Sequence, residues 1–211
     1  MQPLQPSPEP DRTADQDIPA LDPTDQGVRD AMRRYLHKMR GSTRGASPRV
    51  SNAEVFWSWL GSFIGIALVA WLNSHWFPAT DATLLIGSLG ASAVLLYGAP
   101  RSPLAQPRNL VGGHIISAVV GVTVWLLFGA VPWLAAALAV ATAIAAMHLT
   151  RTLHPPGGAT ALIAVIGSEQ VHALGYLFVL LPATLGPVLL LLVALVINNI
   201  PATRHYPEVW R

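Results

Sequence analysis

The sequence predicts an all-α fold: a polytopic helical membrane bundle of about five to six segments, the shorter ones broken by glycine and proline. Three observations predict it. The 211 residues are 52% hydrophobic and only 11% charged, with a mean hydropathy of +0.46. The charges are segregated, since eight of 13 Lys/Arg and seven of 11 Asp/Glu precede residue 51, leaving nine charges for the other 161 residues. Uncharged runs of membrane-spanning length recur through those residues. A water-soluble exterior needs interspersed charge, so the surroundings of this part must be lipid. The absence of cysteine excludes a disulfide scaffold, a thiolate zinc site, an iron–sulfur centre and a cysteine nucleophile.

Residues 1–27 are rich in Pro, Asp, Gln and Ser, with no basic stretch leading into an apolar run. They are read as a disordered acidic tail, not a signal peptide. Residues 28–50 form a basic amphipathic segment. Val28, Met32, Tyr35, Leu36 and Met39 recur at helical spacing, with Arg29, Arg33, Arg34, Lys38 and Arg40 between them. It reads either as an interfacial helix on anionic headgroups or as a solvated stub that fixes orientation. Both readings place this flank in the cytoplasm.

The membrane domain is predicted over 55–200. Val55 to Phe77 is a 23-residue uncharged run, long enough for a hydrocarbon core of roughly 30 Å. Trp57, Trp59, Trp71 and Trp76 sit near its ends as interfacial anchors. Ala82 to Gly98 is short for a straight crossing. A polar loop from Ala99 to Asn109 follows, then crossings over Leu110 to Ala130 and Val131 to Thr150. About a dozen apolar residues after His154 are too few to span upright. His172 to Ile200 supplies the last long segment, with a kink expected at Pro182, Gly186 and Pro187. Residues 201–211 form a short tail.

Six crossings from a cytoplasmic amino terminus put Arg101, Arg108, Arg151, Arg204 and Arg211 on the inner side, as the positive-inside bias requires. If the segment after His154 re-enters and leaves on one side, Arg204 and Arg211 fall outside. The six-segment arrangement is favoured.

Gly90, Ala91, Ser92, Ala93, Val94 and Leu95 resemble Gly158, Ala159, Thr160, Ala161, Leu162 and Ile163. Two three-segment units related this way would insert upside down relative to one another, an inverted repeat of the kind secondary transporters use around a midplane site. The alternative is that small residues recur wherever membrane helices pack closely.

The most unusual string is His154, Pro155, Pro156, Gly157, Gly158, Ala159 and Thr160. The prolines end one helix and open another. Free N–H groups at a helix amino end attract anions, and Gly157 and Gly158 would let a ligand approach the backbone. Ser88, Gly90 and Ser92 would be the counterpart from the other half. A Pro-Gly turn with small residues for tight packing is the plain alternative.

HPPGGATAL, the earlier LGASAVLLYG and the following Ala99, Pro100, Ser102, Pro103, Leu104, Ala105, Gln106, Pro107, Arg108 and Asn109 resemble the HPP family of integral membrane proteins. The resemblance covers about 55–200. It implies four spans, fewer than the six segments read here, and transport of a small anion, because chloroplast and cyanobacterial members are associated with nitrite. Some relatives carry fused CBS domains; none is visible in this chain.

The substrate-binding candidates are therefore Ser88, Gly90, Ser92, His154, Gly157, Gly158 and Thr160. His114 and His154 are candidates for proton coupling, since an ionisable group inside a membrane is a functional candidate by default; a structural hydrogen bond is the equal alternative. Arg101, Arg108 and Arg151 would draw anions to an inner mouth. No metal site or cofactor is expected, because the histidines lack ligand spacing and the spans lack carboxylates. No catalytic triad and no nucleotide-binding loop is visible, so an enzyme is not expected. The partners expected are the lipid bilayer, a small anion and a second copy in a homo-oligomer, with no nucleic acid. The whole reads as a multi-pass protein of a bacterial inner membrane that carries a small inorganic anion; the alternative is a non-transporting scaffold or partner subunit acting through helix association.

Overall fold

The computed structural model describes residues 28–39, 49–76 and 82–210. The tail over 1–27, Arg40, Arg44, Asp81 and Arg211 lie outside the described residues. The chain divides into two units, Met1–Arg49 and Val50–Arg211. In the first, Val28–Met39 forms helix α1. Met32, Tyr35, Leu36 and Met39 make an exposed apolar stripe along it, with the i, i+3, i+4 and i+7 spacing of one helical face.

The second unit is all-helical over its described residues. Its helices are α2 (Asn52–Trp76), α3 (Ala82–Ala93), α4 (Pro107–Phe128), α5 (Pro132–Thr150), α6 (Pro155–Ile166), α7 (Glu169–Leu174), α8 (Leu177–Leu180) and α9 (Gly186–Ile197). Among the described residues four stretches are long and apolar enough to cross a membrane: Asn52–His75, Pro107–Phe128, Pro132–Thr150 and Leu177–Ile197. Gly87–Gly98 and Pro155–Ile166 are shorter apolar helices. The four spans implied by the family resemblance and the six segments read from hydropathy are thus both present, as four long helices and two short ones.

Proline sets the boundaries. Pro107, Pro132 and the Pro155–Pro156 pair each occupy the first turn of a helix, where the missing N–H would have had no partner. Pro182 lies inside the last long stretch, and the backbone widens to a π-turn over Leu181–Leu185, which absorbs the lost donor. This is the predicted kink. The expected start of that stretch at His172 is corrected: His172 belongs to α7, and Gly175, at φ 49°, breaks the chain before α8. Glycine adopts this left-handed backbone without steric cost.

Hydrogen bonds between helix ends fix the direction of every leg. Arg204, after α9, bonds Glu54 in the first turn of α2 at 2.7 Å. Arg101, after α3, donates to the Thr203 carbonyl at 2.7 Å. Arg108, opening α4, reaches the Thr150 carbonyl at the end of α5 at 2.9 Å, and Asn109 reaches Leu153 at 2.8 Å, just before α6. Therefore α2, α4 and α6 start at this end, and α3, α5 and α9 finish there. Consecutive legs alternate, and α3 runs antiparallel to α6. A re-entrant α6 would have sent Arg204 to the opposite end, so the six-leg reading holds and the re-entrant one is set aside.

Small residues bring the helices together. Ala135, Ala139 and Ala143 place a buried methyl on every turn of α5, against Ala161 and Val165 of α6. On α4, Gly113, Ser117 and Gly121 fall at i, i+4 and i+8, and α6 closes against them. A β-carbon at Gly121 would lie 2.6 Å from the Ala161 carbonyl oxygen. Such stripes allow backbone approach where lipid gives no hydrophobic drive between helices. A separate apolar cluster joins Val69 of α2, Leu89 of α3, Leu190 and Ala194 of α9, and Tyr97.

Candidate functional site

Between α3, α4 and α6 the apolar bundle encloses two imidazoles and two hydroxyls. His114 of α4 is wholly buried, as are Ser92 of α3 and His154, the residue that caps α6; Thr160 of α6 is 2% exposed. Thr160 Oγ1 lies 2.7 Å from His114 Nδ1, and Ser92 Oγ lies 2.8 Å from His114 Nε2. The same Ser92 Oγ is 2.9 Å from His154 Nε2. His154 Nδ1 ends the chain 2.8 Å from the Leu104 carbonyl, in the turn Pro103–Ala105.

A carbonyl can only accept, and this fixes the protons of the neutral cluster. His154 must carry hydrogen on Nδ1, which leaves its Nε2 bare to accept from the Ser92 hydroxyl. Ser92 then accepts the Nε2 hydrogen of His114, whose bare Nδ1 accepts from Thr160. Every nitrogen is satisfied. Leaving one unpaired at this depth would cost about 1–3 kcal/mol.

The glycines divide by role, and not as the anion-cradle reading expected. Gly157 faces α4: a β-carbon there would stand 2.7 Å from Ser117 Oγ and 3.0 Å from Met147 sulfur. It is a packing residue, not an opening for a ligand. Gly90 and Gly158 each precede the inward hydroxyl by two positions, roughly 200° around the helix, so they lie on the opposite faces from Ser92 and Thr160. A β-carbon at Gly90 would meet nothing within 4 Å, and at Gly158 only Val140 at 3.9 Å. Nor is the Gly90–Ser92 stretch a helix amino terminus, because α3 begins at Ala82 and these residues fall in its last turns. Only the α6 half of the expected pair of amino ends is present. Ser88 is buried, and its carbonyl lies 3.2 Å from Ser92 Oγ.

The arginines form a rim at the end where α4 and α6 begin. Arg101 is held by Thr203 and lies 3.8 Å from Glu208. Arg108 is held by Thr150, and Arg151 ends α5 in a left-handed turn at φ 57°. The hydrogen bonds of Arg101 and Arg108 go to backbone carbonyls after α9 and at the end of α5, not to the cluster. The other histidines stand apart: His172 stacks on Trp125 at 3.6 Å, His75 bonds the Trp71 carbonyl and His148 is exposed.

Two features were not legible. The Leu104 carbonyl, which orients His154, carries no side-chain signal. Arg204, read from sequence as a mark of orientation, is instead a buried clamp. Its guanidinium bonds Glu54 Oε2, the Glu54 carbonyl, Ser58 Oγ, Asn198 Oδ1 and the Tyr97 carbonyl. Beside it Tyr206 donates to the Ala105 carbonyl, and burial raises its phenol above the usual tyrosine range.

Helices of this length around a buried imidazole–hydroxyl cluster define a multi-pass α-helical membrane protein. The model of the HPP transmembrane region matches residues 47–207, and the chain belongs to the HPP family. A transmembrane protein of Dictyostelium discoideum is 47% identical over 180 residues, 83% of this chain and 57% of the relative. A second from the same organism is 46% identical over 182 residues, 83% of this chain and 63% of the relative. The chain thus spans about three-fifths of the length of these relatives. No solved structure matches it.

Proposed function

We propose that this protein carries a small monovalent inorganic anion, nitrite first among the candidates, across a bacterial inner membrane, with its amino terminus in the cytoplasm and His114 and His154 handling a coupled proton. The observation that carries the reading is the buried chain Thr160–His114–Ser92–His154. Ionisable groups are costly at membrane depth and mark transport pathways or proton relays where they persist. The hydroxyls and ring N–H groups that now bond one another are the donors that would replace water around an anion. Without such replacement, stripping the solvent shell is prohibitive. On helix α3, β-carbons at Gly87 and Gly90 would touch nothing within 4 Å, whereas Leu89 packs closely against Gly186 of α9. The α4–α6 pair is locked by Gly113, Gly121 and Gly157. The rim arginines Arg101, Arg108 and Arg151 would concentrate anions at the inner mouth, and no catalytic step belongs to this reading.

The test is flux in liposomes holding the purified protein, comparing nitrite, nitrate, formate and chloride under an imposed pH gradient. Nitrite uptake that rises with an inward proton gradient, and collapses in His114→Gln, is the expected result. Absence of flux for all four anions would instead favour the scaffold reading. That second reading draws on the complete internal satisfaction of the cluster, which a purely structural network would also have.

A further inference from the structure

We propose that the cluster stores a single proton, that Ser92 is the relay between its two imidazoles, and that the transported anion is the counter-charge of the protonated state, so that carriage is an electroneutral symport of one proton with one anion. This rests on the transport reading above and adds its stoichiometry and its switch residues.

The argument begins with spare acceptors. Ser92 Oγ lies 3.2 Å from the Ser88 carbonyl, and Thr160 Oγ1 lies 3.4 Å from the Pro156 carbonyl, each four residues back along its own helix. A proton arriving on His154 Nε2 turns that nitrogen from acceptor to donor. Ser92 answers by rotating its hydrogen onto Ser88, and its oxygen then accepts from both Nε2 atoms. A proton arriving on His114 Nδ1 is answered by Thr160, which rotates onto Pro156. Each imidazole can therefore take charge at the expense of one hydroxyl rotation, with every polar atom still paired.

Transfer between the rings balances through Ser92. The His114 Nε2–H bond breaks as that proton joins Ser92 Oγ; the Ser92 O–H bond breaks as its proton joins His154 Nε2. No electrons change hands and no co-reactant is needed. Both rings cannot be charged together, because their centroids are 5.2 Å apart and like charges at that range oppose each other strongly in a buried site.

Among the described residues, the surroundings provide nothing to neutralise the charge. Over its described side chains α3 contributes only Ser88 and Ser92 of polar type, and Tyr97 beyond it donates away to the Leu190 carbonyl. Helix α4 adds Ser117, directed at Met147 sulfur, and Arg108 at its outer end; α5 adds Met147 and the exposed His148; α6 adds Thr160; the Pro103–Ala105 turn adds a carbonyl. None of these is a carboxylate. A buried imidazolium without a partner is expensive, so proton and anion stabilise one another's entry, and the loaded site is neutral.

The experiment measures proton and nitrite fluxes together in liposomes, with membrane potential clamped by potassium and valinomycin. One proton should accompany each nitrite, and uptake should be unchanged when the potential is reversed. Ser92→Ala should lower stimulation by a pH gradient about tenfold or more, whereas Ser92→Thr, which keeps the hydroxyl, should retain it. Nitrite flux driven by potential, or unaccompanied by protons, overturns the symport while leaving anion carriage standing. Absence of flux for every anion removes the transport reading itself. If Ser92→Ala does not fold, the wild-type stoichiometry and Thr160→Val decide. Imidazole-nitrogen NMR in nanodiscs gives a separate readout: adding nitrite at low pH should convert one buried ring, not two, to imidazolium. Conversion of both rings, or of neither, overturns the one-proton site.

Discussion

Ser92 and Thr160 hold opposite nitrogens of a single imidazole, bonding His114 at 2.8 and 2.7 Å from helices that run in opposite directions. They are also the matched third positions of the two six-residue stretches that resemble each other in sequence. Short helices from two halves, antiparallel and meeting at one polar centre, are what an inverted repeat places at the middle of a transporter. Chance recurrence of small residues gives no reason for both hydroxyls to meet the same ring.

The glycines offer a sharp test of packing against ligand approach. Gly121→Ala and Gly157→Ala force a β-carbon into the α4–α6 contact, at 2.6 Å from a carbonyl and 2.7 Å from Ser117 Oγ respectively, and should destabilise by about 1–3 kcal/mol. Gly90→Ala and Gly158→Ala meet open space or ordinary contact, and should leave the melting temperature unchanged or slightly raised. Thermal unfolding in detergent separates the pairs. Equal losses in all four would contradict the assignment of roles.

Arg204 is expected to matter more than the ion pair alone implies. Its side chain is 3% exposed against 28% for Glu54, and it satisfies Asn198 and the Tyr97 carbonyl as well. Arg204→Met should therefore cost about 3–5 kcal/mol, the range for breaking a buried charge network. Glu54→Gln, in a partly solvated position, should cost distinctly less. A larger loss in Glu54→Gln would show that the clamp is misassigned.

The alternating legs predict sidedness. The sequence has no cysteine, so single-cysteine variants can be labelled cleanly with an impermeant maleimide. Arg151→Cys and Thr203→Cys should react from one face of the membrane, Val131→Cys and Glu169→Cys from the other. Reaction of Glu169→Cys from the same face as Arg151→Cys would restore a re-entrant α6.

Helix α1 presents Met32, Tyr35, Leu36 and Met39 to its surroundings, beside Arg33, Arg34 and Lys38. Such a helix binds anionic interfaces through both its charge and its apolar face. A polarity-sensitive dye on Met32→Cys should shift to the blue in nanodiscs containing anionic lipid, and much less in zwitterionic ones. Equal emission in both would leave α1 as a solvated stub.

Much of the architecture could be read because it depends on local properties of the chain. Run lengths without charge located the four long helices, and Pro132 and Pro155 marked helix starts because proline lacks a donor, whereas Pro107, read as part of the polar loop, in fact opens α4. The basic loops predicted which helix ends share a side. His154, Ser92 and Thr160 were picked out as candidates by their unusual neighbours, but Gly157 was assigned the wrong partner. Sequence offers no measure of whether an absent β-carbon faces a ligand or another helix. The clamp at Arg204 was hidden for a similar reason: a lone arginine after a span looks the same whether it meets water or a carboxylate 150 positions away.

By itself, then, the sequence determined that this chain lives in a bilayer as a set of long and short helices, because hydropathy and proline act within a turn or two of backbone. Only the tertiary structure decided that His114, His154, Ser92 and Thr160 form one connected chain of hydrogen bonds. Residues 22, 46 and 62 positions apart meet only when each helix takes a particular rotation about its own axis. For α4 and α6 that rotation is set by the close contact of Gly113, Gly121 and Gly157, and α3 is seated by Leu89 against Gly186, properties of helix pairs that no single stretch of sequence contains.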